Sequence, residues 1–248
     1  MARILGESRF ESSGEYFETH IDEAVGVIDL KGNVFEMATD LPLKETFFSK
    51  IRSANLRPEI KVLLITSGGS ALGEEKYVQF DRSIRESTDG PTKFLREENA
   101  LSQYIRLIYG SDKIVVSGVR GSVVSAFLGA ILAADYRVAS ESTLLSFLHL
   151  KYEMSPQGGL GFFLPRYLGV AKARKILYSG APISAAEAYE LGLVDDVVAD
   201  HLYESKCMEI AKRMSQVPTG IVRLTKRLIR GNLSELDTYL KMESELSK

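Results

Sequence analysis

Three places in this 248-residue chain carry groups that could do chemistry. The first is the step from Gly121 into the apolar run Val123 to Ala134. Lys113 to Val119 is β-branched and reads as a buried strand, Gly121 breaks it, and the run that follows is apolar on nearly every side, as a helix sunk in a core must be. A helix that opens directly off a strand presents backbone N–H groups with no partner inside the helix. Small residues at that start, Ser125 and Ala126, would let a ligand oxygen come close to those donors. The second place is Ser67 to Gly73, a glycine-rich turn followed by Glu74 and Glu75 at the head of a polar helix, where negative charge is favoured by the helix dipole. The third is His149, set in the apolar stretch SFLHL. An imidazole moves protons near neutral pH, but in such a run it also reads as a core histidine satisfied by a backbone carbonyl. The residues alone leave both readings open.

Other motifs fall away. The turn at 67–73 lacks the Lys-Ser/Thr end of a phosphate loop, and Gly158-Gly-Leu-Gly161 lacks dinucleotide-fingerprint spacing. The histidines His20, His149 and His201 are far apart, so no metal cluster is expected. The single cysteine, Cys207, excludes an intramolecular disulfide and points to a reducing compartment. A formal net charge of −2 gives no reason to expect nucleic acid or an anionic membrane as a partner. The longest apolar run, Ala126 to Ala134, is too short to span a bilayer, and the N-terminus has no secretory signal pattern. A soluble, cytoplasmic protein is expected.

The elements that must position these groups alternate. Tyr16 to Leu30 reads as a hairpin turning at Asp22-Glu23, and Leu41 to Ala54 as a helix stopped by Asn55 to Pro58. Lys61 to Thr66 is a buried strand, and Glu74 to Ser111 is helical with a break at Asp89-Gly90-Pro91. Asp135 closes the central helix and Tyr136 to Ala139 returns as a strand. From Leu160 onward the chain reads as nearly all helix, with a capping box at Ser184 and Glu187 and final helices over 201–217, 219–230 and 234–246. The pattern predicts an α/β core with a helical C-terminal part.

These residues resemble the crotonase (enoyl-CoA hydratase/isomerase) superfamily. The most specific match is Gly180-Ala-Pro-Ile-Ser-Ala-Ala-Glu-Ala-Tyr-Glu-Leu-Gly-Leu-Val-Asp-Asp-Val-Val198, similar almost position for position to the family's G-x-x-[IL]-x-A-x-E-A-x-x-x-G-L-V-x-x-V-V segment. The spacing from Gly121 to Asp135, followed by Arg137-Val-Ala, also fits the family's N-G-x-x-x-G-G-G…D-x-R-I-A pattern. The resemblance implies a spiral of stacked β-β-α units over 1–190 and a helical trimerisation region over 191–248, with trimers or hexamers as the assembly. It implies an acyl thioester as partner, carried by coenzyme A or an acyl carrier, with no cofactor beyond the coenzyme A of the substrate. By the motif match, the backbone N–H groups of Glu74 and Ala126 would polarise the thioester carbonyl as an oxyanion hole. Leu72 and Lys76 would lie near the adenine end of coenzyme A. Of the basic residues Arg223, Lys226, Arg227 and Arg230, Lys226 is the one expected to meet its phosphates.

The departures narrow the chemistry. The two glutamates with which the family's hydratases add water fall on Gly129 and His149, and a position where some relatives carry an aspartate is Gln157. His149 is then the expected acid/base, with Glu74, Glu75, Tyr77 and Glu153 as secondary candidates. Three functions follow: an acyl-CoA lyase or isomerase using one acid/base, a decarboxylase of the polyketide β-branching type, or a silent acyl-CoA binder. Lys151-Tyr-Glu-Met-Ser-Pro156 resembles the K-Y-x-x-x-P stretch of some of those decarboxylases.

Overall fold

The structure is a computed structural model that describes residues 10–231 and 233–246. The chain begins with a short β1 (Ser12–Ser13) and a hairpin of β2 (Phe17–Asp22) and β3 (Val25–Leu30), turned at Glu23, whose φ of 54° is left-handed. Helices α1 (Val34–Thr39) and α2 (Leu41–Leu56) lead to β4 (Val62–Ser67). After the glycine-rich turn come α3 (Glu74–Arg85) and α4 (Gly90–Tyr109). The centre is β5 (Ile114–Val119), β6 (Ser122–Val124), α5 (Ser125–Leu132), β7 (Tyr136–Ser140) and β8 (Leu144–Ser146). Then follow α6 (Leu160–Leu168), α7 (Val170–Ser179), β9 (Ile183–Ser184), α8 (Ala185–Glu190) and β10 (Asp196–Val198). The chain ends in α9 (Tyr203–Met214), α10 (Thr219–Arg230) and α11 (Ser234–Leu246).

Seven strands form one sheet in the order β1-β2-β3-β4-β5-β7-β10, parallel from β3 onward, and β6, β8 and β9 form a second. In the central units β5-β6-α5 and β7-β8-α6 a strand of the large sheet is followed by one of the small sheet and then by helix, the β-β-α arrangement expected. Helices cover both faces of the large sheet. All of β4 (VLLITS) is therefore buried, as parallel strands usually are. On one face lies the main core with α1 to α5. On the other, Tyr203, Cys207, Ile210 and Ala211 of α9 pack on Val25, Val27, Val62, Leu64, Val116 and Val138. Burial pushes the Cys207 thiol up to about 12, which leaves it inert.

Three expectations are corrected. The central helix starts at Ser125, because Ser122–Val124 pair in register with Leu144–Ser146 as strands of the second sheet. Val123 and Val124 suit a strand as well as a buried helix, and only the partner strand decides. The stretch after Leu160 is interrupted by β9 and β10. β10 pairs with β7, so the large sheet draws its last strand from beyond residue 190. Helix α1 was not foreseen from sequence; Asn33 caps it by accepting from Phe35 N.

Candidate active site

Two helix starts meet at the glycine-rich turn. Val124 N donates to Leu72 O at 2.9 Å and Glu74 N donates to Ser122 Oγ at 3.5 Å, so the turn runs along β6 and brings the head of α3 beside that of α5. The approach needs glycine: Gly121 has φ of +74°, and a Cβ there would sit 2.4 Å from Gly69 O. No side chain caps α5, so its first N–H groups, Ala126 among them, have no partner within the helix. A cavity of about 20 Å³ opens at this point, lined by Tyr77, Ser125, Ala126, His149, Met154 and Gln157 with Val124, Leu148 and Ser155.

His149 joins both readings of its sequence. Its Nε2 lies 2.7 Å from the Leu177 carbonyl of α7, and a carbonyl only accepts, so Nε2 carries the proton of that bond. Nδ1 is buried and has no hydrogen-bond partner among the described residues. The ring is thus held like a core histidine in the lining of the Ala126 cavity, and its second nitrogen is left unused. Tyr77 is fixed beside it, its hydroxyl 3.5 Å from Met154 Sδ and its ring edge-on to Phe35. Burial pushes the Tyr77 phenol well above its usual range, so it acts as a hydroxyl and not as a phenolate.

Gly129 lies one turn into α5, and the loop 155–159 fills the space a side chain would need. A Cβ on Gly129 would stand 1.5 Å from Gly158 O. The missing glutamate is therefore a feature of the packing, and not only of the residue.

The remaining expected residues are placed as follows. Leu72 is buried and lines an inner void between β4, β5 and α5, and only its backbone meets β6. Lys76 is half-buried, one residue before Tyr77, and its carbonyl takes a 3.5 Å bond from Asn33 Nδ2. Glu74 does not line the Ala126 cavity: its carboxylate is paired with Lys151 at 2.8 Å and its N–H is on Ser122 Oγ, while Glu75 and Glu153 are exposed. Lys226 is committed to the fold: it donates to Lys113 O at 2.6 Å and to Asp135 at 2.7 Å, beside Arg230 on the same carboxylate. Burial lowers its ammonium to about 8, against the pull of Asp135. Among the described residues no group of three or more His, Cys, Asp or Glu could hold a metal ion, and no helix is long and apolar enough to cross a membrane.

The sequence reading missed two carboxyl groups behind the cavity, Glu97 and Glu98 of α4. Gln157, which lines the cavity, donates from Nε2 to Glu98 at 3.1 Å. Glu97 is 2% exposed. A signal was present: Glu97, Leu101, Tyr104 and Ile108 share one helical face, so the apolar spacing of α4 carries an acid into the core.

Comparison with known proteins agrees with this architecture. The enoyl-CoA hydratase/isomerase family profile matches residues 58–248. A probable enoyl-CoA hydratase of Mycobacterium tuberculosis is 31% identical over 215 residues, covering 84% of this chain and 74% of the relative. The 1,2-epoxyphenylacetyl-CoA isomerase of Escherichia coli is 23% identical over 239 residues, 94% of this chain and 89% of the relative. The crystal structure of an enoyl-CoA hydratase from Bacillus halodurans superimposes with a TM-score of 0.78 at 22% identity, over 93% of this chain and 92% of the other. With its motifs, its two-sheet architecture and the family match in agreement, this chain belongs to the enoyl-CoA hydratase/isomerase family of the crotonase superfamily.

Proposed function

We propose that this protein binds an acyl-CoA thioester and draws its carbonyl oxygen onto the Glu74 and Ala126 backbone N–H groups, with His149 as the one acid/base. A backbone donor survives a change of side chain, so Ser125-Ala126-Phe127 in place of three glycines leaves the hole in being, although the Ala126 Cβ narrows it. Such a donor, aligned on a developing oxyanion, contributes roughly 3–4 kcal/mol to the transition state. The proton at the carbon beside the carbonyl passes to Nδ1 of His149, its electron pair moves onto the oxygen as the enolate, and the imidazolium returns the proton. The observation that carries this reading is that His149 lines the Ala126 cavity while its buried Nδ1 has no hydrogen-bond partner among the described residues.

Water addition by two glutamates is not the reaction proposed, because one slot is His149 and the other is closed by Gly158. Crotonyl-CoA should bind and be hydrated poorly. Turnover approaching ~10³ s⁻¹, the upper part of the usual enzyme range, would refute this. A second reading, decarboxylation of an acyl thioester, draws on Lys151: its ammonium is tied to Glu74 at the head of α3, where it could instead receive a substrate carboxylate. Release of CO₂ from malonyl-CoA or methylmalonyl-CoA, lost in Lys151→Ala, would select it. If esters bind and neither assay nor exchange of the α-proton shows turnover, the chain is a binder.

A further inference from the structure

Helix α4 brings Glu97 to a void of about 30 Å³ walled in part by Phe127. Apart from Glu97 and Lys44 the walls are mainly apolar, with Val34, Met37, Phe47, Tyr104 and Phe127 prominent among them. Among the described residues no hydrogen bond or ion pair reaches the Glu97 carboxyl group, although it is 2% exposed. Lys44, the one cation on the lining, stands over the Phe48 ring at 5.9 Å and not on Glu97. Glu98 is engaged with Gln157, and Tyr77 of α3 has its hydroxyl on Met154. Desolvation first, and the neighbouring Glu98 second, push Glu97 up to about 8. At neutral pH the group is therefore a carboxylic acid, whose O–H has no acceptor in the protein.

A buried donor left without an acceptor is destabilising, and such groups in proteins usually have a partner or a task. The void supplies room for one. Its size, about twice what one water molecule needs, suits a small oxygen-bearing tip and not a whole acyl chain. Phe127 follows Ala126 directly in α5, so an acyl group whose carbonyl sits at Ala126 N–H is one residue from the wall of this void.

Resting on the acyl-thioester reading above, we infer that Glu97 recognises the distal part of the acyl group. Its carboxyl donates a hydrogen bond to a keto or hydroxyl oxygen several carbons beyond the thioester, and the site selects oxygenated acyl thioesters over plain alkyl ones. A pocket built to hydrogen-bond a substrate oxygen rejects the analogue that lacks it, because the buried donor is then left empty.

The test is calorimetric binding of pentanoyl-CoA and 4-oxopentanoyl-CoA, which differ by one carbonyl, to the full chain at pH 7. The unaltered protein should prefer the 4-oxo ester by about tenfold or more, the ratio expected of one satisfied buried hydrogen bond. Glu97→Gln, which keeps an N–H donor, should retain a preference. Glu97→Leu should erase or reverse it while pentanoyl-CoA binds at least as well. Equal binding of the two esters to the unaltered protein would overturn the inference and leave the acyl-thioester reading standing. Failure of both esters to bind would overturn both. If Glu97→Leu does not fold, the ratio in the unaltered protein and in Glu97→Gln decides alone.

Discussion

At Gly129 and His149 single residues decide which reaction is open. Restoring the family's glutamate at Gly129 should not restore hydration, since even Gly129→Ala places its Cβ 1.5 Å from Gly158 O. Overpacking of that kind costs about 1–3 kcal/mol or more, so Gly129→Ala should lower the unfolding free energy by that amount and Gly129→Glu by more. A Gly129→Glu variant that folds as well as the parent and hydrates crotonyl-CoA would contradict the packing argument. His149→Gln keeps a side-chain amide for the Leu177 carbonyl but removes proton transfer. A drop of about 10²–10⁴ in turnover with coenzyme A ester affinity unchanged is expected, whereas loss of stability alone would make His149 a core residue. Glu97 supplies a test by pH. Its acid form is favoured in the folded state up to about 8, against an ordinary value of 4.5, so the native state holds a proton the unfolded state has given up. Stability from this group is intact below pH ~4.5 and falls as pH rises toward ~8, by up to about 1.4 kcal/mol per pH unit. Glu97→Gln should flatten that slope in urea titrations at pH 6 and pH 9, with Glu98 and Tyr77 as the other titrating groups facing it. An unchanged slope would place the proton elsewhere.

Among the elements, the loop 155–159 does most to shape the site, and it is held from three sides. Gly158 O seats under Gly129, Gln157 bonds Glu98 of α4, and Gly159 N donates to both Glu243 oxygens of α11 at 3.0 and 3.2 Å. Gly159 is also the cap position of α6, where a carboxylate is favoured by the free N–H groups and the helix dipole. Helix α11 thus braces the candidate site of its own chain. Glu243→Ala should lower stability by about 1–2 kcal/mol and speed amide exchange at Gly158 and Gly159 first; unchanged exchange there would remove α11 from the site. How far such elements could be read beforehand follows from where their determinants lie. The capping box of Ser184 and Glu187 is local, and it forms as the residues predict. The breaks at Gly121 and at Asp89-Gly90-Pro91 are local too. Strands β6, β9 and β10 are two or three residues long and exist only through partners distant in sequence, so periodicity does not mark them. The closure of Gly129 depends on a loop some thirty residues away, and could not be read from Gly129 itself.

For the whole molecule the open question is what covers α10. Of the apolar residues on the late helices, Ile210 is buried against the sheet and Met214 packs beside it, whereas Ile221, Leu224 and Leu228 stand exposed at helical spacing. The family resemblance implies a trimer, and we propose that this stripe is its contact. Sedimentation at micromolar concentration should give a trimer or a multiple of it, and Leu228→Glu should shift it toward monomer; a monomer in the unaltered chain would contradict the assembly. Lys226 and Arg230, anchored on Asp135, fix the inner side of the same helix, and with Arg223 and Arg227 they line an open basic hollow. The central claim, enolate formation at a thioester by His149 without water addition, is tested most directly by proton exchange. Butyryl-CoA incubated with the protein in D₂O and followed by NMR should gain deuterium at the carbon beside the carbonyl, and the gain should vanish in His149→Gln while the ester still binds. Bound ester with no exchange, or exchange undiminished in His149→Gln, would contradict the account.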